Sequence, residues 1–471
     1  MRDNSIKFDI FVFIFLAVLV FSSKLPTLNT PYLWDEFGRI GGARWLCDAK
    51  FGLFRFIPGL YPPGMFDDHL SCGQHLSVAF LFKLFGKSIW LSHLFTVCVS
   101  FLGVYFTYLL GSLLYGRKVG FFSALFLFFS PVYFAQSGML LGDLPVAALS
   151  AMCVYFTLRK KYIPYLLCSI YMVLIKETGI LVVFAILVYL LLSEGNKTRY
   201  VFKEILKYGI PLLVIFSLFI IQKFAIGKLL YFPVIDVEFG GLIKLRYEEM
   251  ILTFLKINKW IFWSQCRYVF TLLILLNFIL NKNWKNRKEF LLFLLIFIFS
   301  GYTLSFFYYG HRYLFPVLPY FYIIGALALV ELIKSEILQN IAAGIIILVL
   351  ILSPFVTGFK GSGEFDMKYL DIVKLEKTMC QYIEKEFPAA RILTAWPQTS
   401  ELEDPFFGYV EKPLKIIYFD GKNNLTDFDV ILFSNVPSGD HYKLKNYIIN
   451  NSFKLIKQFK TRNLVSELYG H

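Results

Sequence analysis

Apolar and polar positions fall in long blocks along this chain rather than in the short periods of a soluble domain. Apolar runs long enough to cross a bilayer recur near 8–24, 88–114, 119–135, 143–158, 163–175, 178–193, 209–226, 268–281, 290–307, 314–333 and 341–356. Backbone polar groups find no water in the hydrocarbon core, so these about eleven spans are expected to be helices. The predicted class is a polytopic all-α membrane protein. Arg2 and Lys7 precede the first run as in a signal peptide. No small-x-small cleavage site follows it, so the run reads as a retained helix.

Near residue 358 the pattern changes. GFKGSGEFD is Gly-rich and linker-like. A helix is predicted over Tyr369–Phe387, ended by Pro388. Short β-like runs follow in RILTAW, KIIYF, DVILF and FKLIKQF, with a helix near 441–450. The expected organisation is a membrane unit over 1–357, with a first outer loop at 25–87, and a small α/β domain over 358–471. That domain has no G-x-G-x-x-G and no P-loop, so nothing marks it as nucleotide-binding.

Composition agrees: 57% of residues are hydrophobic and 19% aromatic, with mean hydropathy +0.61. The net charge of +14 sits in short loops rather than in a nucleic-acid-binding stripe. Arg117-Lys118, Arg159-Lys160-Lys161, Lys197 with Arg199, and Lys285 with Arg287-Lys288 mark cytoplasmic loops, whereas Gln136–Gly142 has no Lys or Arg. The N-terminus is thus expected in the cytoplasm of a plasma-membrane protein. The 25–87, 136–142 and 226–267 loops and the C-terminal domain are expected outside. Asn424-Leu425-Thr426 and Asn450-Asn451-Ser452 are glycosylation sequons on that face. Of seven Cys, Cys47 and Cys72 share one outer loop and are candidates for a disulfide. No C-x-x-C pair suggests structural zinc.

The polar residues placed at the outer face are the candidates for chemistry. Asp35 and Glu36 follow the first span; they read as a solvated acidic pair at a helix start or as a catalytic carboxylate with its neighbour. Asp143 opens a span in Gly-Asp-Leu-Pro, as an N-cap, as a second site carboxylate, or as both. Lys176 in Lys-Glu-Thr-Gly lies between two spans with almost no loop. A charge at such depth costs about 2.5–3.5 kcal/mol, so it is paired, snorkelling, or a binder of an anionic ligand. Arg312, in Tyr309-Gly310-His311-Arg312-Tyr313, is either an interfacial anchor or a phosphate binder, because its planar fork donates parallel hydrogen bonds. Tyr61, His311 and Tyr313 are candidate substrate contacts. Asp67, Asp68, His69 and His75 allow a divalent metal, but their spacing matches no strong metal motif, and no cofactor is firmly expected. The 226–267 loop, with Trp260 and Trp263, suits amphipathic helices lying in the interface, as a lid or a plain surface element.

WDE after the first span, YPP in the first loop, LFGKSIWLSHLF entering the second span, GDLP, IKETG and HRYLFPVLP occur in this order over most of residues 1–330. In these motifs the chain resembles the C-type (GT-C fold) membrane glycosyltransferases of the protein O-mannosyltransferase and aminoarabinose-transferase kind. It departs from their pattern at Tyr61, where the family has His, and at His93, where it has Arg. The resemblance implies a polyprenyl-phosphate sugar donor, carrying mannose or a pentose, and a protein, lipid or glycan hydroxyl acceptor. It implies Asp35 as catalytic base with Glu36 as acidic neighbour, Asp143 as second acid, and Lys176 and Arg312 on the lipid phosphate. Two other readings are an oligosaccharide ligase or polymerase using a lipid pyrophosphate, and a transporter or non-catalytic scaffold. Transporters place ionisable residues at mid-bilayer between repeats; here the acids cluster at one face and no repeat is visible.

Overall fold

The computed structural model describes residues 2–48, 72–193, 198–226, 247–281, 288–303, 311–356, 363–419, 421, 427–436 and 441–470. Helix α1 (Arg2–Lys24) leads to α2 (Glu36–Asp48) and α3 (Cys72–Phe85). Then come α4 (Ile89–Tyr115), α5 (Arg117–Phe129), α6 (Pro131–Gln136), α7 (Asp143–Leu158), α8 (Tyr162–Ile175) and α9 (Gly179–Ser193). Next are α10 (Thr198–Tyr208), α11 (Ile210–Ile226), α12 (Tyr247–Asn258), α13 (Tyr268–Leu280), α14 (Lys288–Ile296), α15 (Leu318–Leu332) and α16 (Glu336–Val356).

Among the described residues, four helices are long and apolar enough to cross a membrane: Lys7–Thr27, Ile89–Tyr115, Arg312–Leu332 and Glu336–Val356. Counting each bent pair, Phe202–Tyr208 with Ile210–Phe224 and Ile251–Cys266 with Tyr268–Leu280, as one span makes six. Asp143–Leu158, Tyr162–Ile175 and Gly179–Ser193 are apolar but shorter.

The apolar pattern located these elements and missed their breaks. The run 119–135 is two helices, because Pro131 holds the preceding Ser130 extended (φ −62°, ψ 131°). The helices expected in the 226–267 loop are present in its described part. Residues 251–266 form a helix that meets α13 at 104°. The corner holds Gln265 and Cys266 in left-handed conformation (φ 54° and 61°). Arg267 fastens it, giving bonds of 2.9 and 2.6 Å to the Trp260 carbonyl while stacking on that indole. Lys244 and Arg246 of the same segment lie outside the described residues. Cys47 and Cys72 are both free thiols, so no disulfide joins them.

Arg312–Leu332 is the most enclosed span, and α4, α5 and α7 pack around it. The α4–α5 crossing depends on absent side chains: a Cβ on Gly120 would stand 2.4 Å from the Tyr108 carbonyl, and one on Gly111 2.8 Å from Gly120 Cα.

The C-terminal part is an α/β domain. Helix α17 (Tyr369–Glu386) packs on one face of a five-stranded sheet, and α19 (His441–Asn450) on the other, with α18 (Gln398–Glu403) after the first strand. The strands are β1 (Arg391–Thr394), β2 (Lys415–Tyr418), β3 (Val430–Ser434), β4 (Lys454–Thr461) and β5 (Leu464–Gly470), in spatial order β2-β1-β3-β5-β4. β1 runs parallel to β2 and β3, with Ile392 opposite Ile416 and Val430; β5 is antiparallel to β3 and β4. Strand β5 and helix α18 are additions to the elements expected from sequence. The domain is not a detached appendage. Phe37 of α2 stacks on Phe407 with ring centroids 4.5 Å apart, and Leu33, Phe82, Met379, Tyr409 and Leu432 share one apolar core. The Tyr32 N–H donates to the Phe407 carbonyl and the Tyr409 hydroxyl to the Tyr32 carbonyl.

Candidate functional site

Asp35 sits on the tight turn that starts α2. Trp34 before it is in left-handed conformation (φ 43°), a strain that the surroundings must hold in place. Glu36 holds it. One of its oxygens accepts from Leu33 N–H (2.8 Å) within the turn. The other accepts from Leu140 N–H (2.5 Å) in the 137–142 loop. His93 adds a third link, with Nε2 3.1 Å from Glu36 and Nδ1 2.9 Å from the Leu28 carbonyl. Glu36 is buried, and these bonds tie its carboxylate to backbone rather than to the other candidate residues.

The remaining candidates converge. Asp143 is the first residue of α7, and it does not cap the helix: Gly142 is the N-cap, without a side-chain bond. Its carboxylate turns to the cations instead, meeting Lys176 Nζ at 2.6 Å and Arg312 Nε at 3.4 Å. Lys176 ends α8 in extended conformation (φ −156°), which aims it across to α7, and its ammonium lies 4.1 Å from the Tyr313 ring centroid. Arg312, in the turn His311–Val317 that leads into α15, has a carboxylate on each nitrogen. Nε faces Asp143, Nη2 donates to Asp35, and Nη1 donates to both oxygens of Glu364 at 3.0 Å each. Three carboxylates thus surround two cations, drawn from five separate segments.

Glu364 was not among the residues singled out from sequence. It lies in the stretch read as a linker, of which Gly363–Phe365 forms a helical turn that buries the side chain against Arg312. Burial pushes its carboxyl up to about 7, with repulsion from Asp35 and Asp143 adding to this and Arg312 opposing it.

Exposure grades across the cluster. The Lys176 side chain is 1% exposed and that of Asp143 5%; Arg312 is 18% exposed and Asp35 34%. Lys176 is thus the floor and Asp35 the mouth. Tyr61 lies outside the described residues, as do Asp67, Asp68, His69 and the side chain of His311. Among the described residues no group of three or more His, Cys, Asp or Glu could hold a metal ion. A cavity of about 440 Å³ lies at the opposite end of the bundle, lined by Leu113, Leu114, Tyr115, Glu289, Leu327 and Glu331.

Residues 75–222 match the family model described as dolichyl-phosphate-mannose-protein mannosyltransferase. No curated protein matches the chain. Among solved structures, the chain is similar to ArnT from Cupriavidus metallidurans in the apo state, with a TM-score of 0.55, 11% identity and 97% of each chain covered. It is equally similar to the same ArnT bound to undecaprenyl phosphate, with a TM-score of 0.56, 12% identity and 97% of each chain covered. The chain therefore has the fold of ArnT, and over residues 75–222 its sequence resembles the dolichyl-phosphate-mannose-protein mannosyltransferases.

Proposed function

We propose that this protein is a membrane glycosyltransferase that moves one sugar, mannose or a pentose, from a polyprenyl phosphate to a hydroxyl acceptor on the outer face. The observation that carries the reading is the convergence of Asp35, Asp143, Lys176 and Arg312 at one end of the bundle. The undecaprenyl phosphate held by the similar ArnT, and the dolichyl-phosphate-mannose of the matching family, support a donor of this class.

A polyprenyl phosphate is already a good leaving group, so no general acid is needed. Lys176 and Arg312 are placed to hold it and to stabilise the charge that grows as the anomeric bond breaks. Asp35, at the open side, takes the proton from the acceptor hydroxyl as the oxygen attacks, and a single displacement inverts the anomeric centre. Asp35 and the phosphate share Arg312. Tyr313 forms the wall under Lys176, and Glu36 acts through the turn rather than on substrate. Tyr61 and His311 remain assigned to the substrate side, and the protein, lipid or glycan acceptor enters past the C-terminal domain.

The test is transfer of radiolabelled sugar from polyprenyl-phosphate mannose, then from other donors, by the purified protein in nanodiscs with a membrane extract as acceptor pool. Label is expected in the acceptor. Asp35→Asn is expected to lower kcat by about 10²–10⁴-fold, the range of a positioned base. Full activity in that variant would remove Asp35 as the base. No transfer from any donor of a full panel would favour a non-catalytic scaffold.

A further inference from the structure

Two features behind the ionic cluster have no structural reason in the folded chain, and they meet at one point. The first is Gln74, in the first turn of α3, whose side chain is fully buried. Its Nε2 lies 3.5 Å from the Leu141 carbonyl, and its Oε1 has no hydrogen-bond partner among the described residues. Turning the amide over does not help, because Oε1 would then face the Leu141 carbonyl, acceptor against acceptor. A buried acceptor left unpaired is costly, and protein interiors avoid it. Gln74 is also fixed in place: a Cβ on the neighbouring Gly73 would stand 3.0 Å from the Leu174 carbonyl carbon, so α3 is seated hard against the end of α8.

The second feature is Gly142. It is the N-cap of α7, where Ser, Thr, Asp or Asn would add a side-chain bond, and it adds none. Its φ of −77° is open to every residue. Packing does not demand a glycine either. A Cβ there would lie 3.8 Å from Gln74 Oε1, Ile175 Cγ2 and Lys176 Cδ, ordinary contact at each. The glycine thus leaves room beside the Lys176 chain, and the unpaired oxygen of Gln74 borders that room.

The chemistry of this corner narrows its occupant. An amide oxygen accepts a hydrogen bond and repels another acceptor, which excludes the phosphate of a donor, a diester without a proton. The Lys176 cation disfavours a second cation beside it. A neutral hydroxyl meets both conditions. The hydroxyl of the acceptor substrate reacts at Asp35, the exposed mouth, whereas Gln74 and Lys176 belong to the buried floor. We propose that Gln74 and Gly142 form a sugar subsite, in which Gln74 Oε1 accepts from a hydroxyl of the donor sugar whose phosphate Lys176 holds. This rests on the donor reading above.

The experiment is equilibrium binding of undecaprenyl phosphate, undecaprenyl-phosphate mannose and undecaprenyl-phosphate arabinose to the full-length protein in nanodiscs, as wild type, Gln74→Met and Gly142→Ala. Gln74→Met keeps the volume and loses the acceptor; Gly142→Ala fills the room. Each is expected to weaken the sugar-bearing lipids that the wild type binds by about ten-fold, the loss of one hydrogen bond at a buried group, and to leave bare undecaprenyl phosphate unchanged. Neither variant is expected to melt lower than the wild type, since one removes an unpaired buried group and the other adds a methyl at ordinary contact distance. Folded variants that bind all three lipids as the wild type does overturn the proposal. Equal weakening of bare and sugar-bearing lipids also overturns it, and makes Gln74 a prop for Lys176. A wild type that binds the bare lipid alone overturns it as well. Gly142→Ala decides the matter by itself if Gln74→Met fails to fold. Absence of wild-type binding to any of the three lipids instead sinks the donor reading itself.

Discussion

At the scale of single residues, Asp35 and Glu36 are adjacent in sequence and divide the work. Asp35 is one-third exposed and faces Arg312. Glu36 is buried and accepts from two backbone N–H groups that fix the turn. Glu36→Gln would place an amide N–H₂ against one of those donors, turning an attraction into a repulsion. The expected result is a fall in kcat of about 10–100-fold with little change in donor KM, because the base is displaced while the phosphate cations stay in place. Steady-state kinetics at varied donor concentration separates the two parameters. Lys176→Met makes the opposite split. It removes the 2.6 Å partner of the buried Asp143 and keeps the longer contact to Arg312, and breaking a buried pair of this kind costs about 3–5 kcal/mol. Donor KM is expected to rise and the melting temperature in detergent to drop together. A variant that melts like the wild type would show that the pair adds nothing to stability.

At the scale of elements, the α4–α5 crossing is set by Gly111 and Gly120, whose backbones approach too closely for any Cβ. Gly120→Ala is expected to cost about 1–3 kcal/mol through overpacking, read as a lower melting temperature in detergent. The positions of such helices were legible in the sequence, because an apolar run in a membrane protein reports one strong force. Asp143–Leu158 and His441–Asn450 lie where the pattern put them. What the pattern lost were breaks and handovers. Ser130 divides an apolar run without interrupting its hydrophobicity, and the Gln265–Cys266 corner sets an angle of 104° that no residue pattern reports. The ionic cluster was legible for a related reason: Asp35, Asp143, Lys176 and Arg312 are charges beside apolar spans, where charge is costly and so conspicuous. Glu364 carries no such signal. It stands in a polar, Gly-rich stretch where a carboxylate is ordinary, and its meaning comes from Arg312, a contact that only the packed chain creates.

At the scale of the whole molecule, the C-terminal domain belongs to the site rather than hanging beside it. It supplies Glu364 and holds the Asp35 turn through Phe407 and Tyr409; Arg44 of α2 pairs with Asp404 and lies over Phe406. Loosening the domain should therefore loosen the site, and the domain contains a trigger for that. Glu376 of α17 lies beneath the sheet, accepting from Ser434 (2.6 Å), Gln398 (3.2 Å) and Ser466 (3.4 Å). These bonds favour the charged form, but burial outweighs them and raises the carboxyl to about 7; Glu401 beside it is also raised well above the usual carboxylate range, by burial and by the charge of Glu376. A carboxyl raised on folding binds its proton more tightly in the native state than in the unfolded chain. Its stabilising effect is thus complete below the ordinary carboxylate range near 4.5 and is lost as pH rises through about 7. The full-length protein should lose hydrogen-exchange protection in Val430–Ser434 and Leu464–Gly470 as pH rises over that interval, after correction for the intrinsic exchange rate. Glu376→Gln, which keeps the shape and accepts no charge, should flatten the profile. Because the domain braces the Asp35 turn, transfer activity in Glu376→Gln should also hold up better than wild type toward higher pH. If protection in both forms followed the same pH curve, the buried pair would be a fixed element of packing, and the pH response of the site would have to come from Glu364 alone.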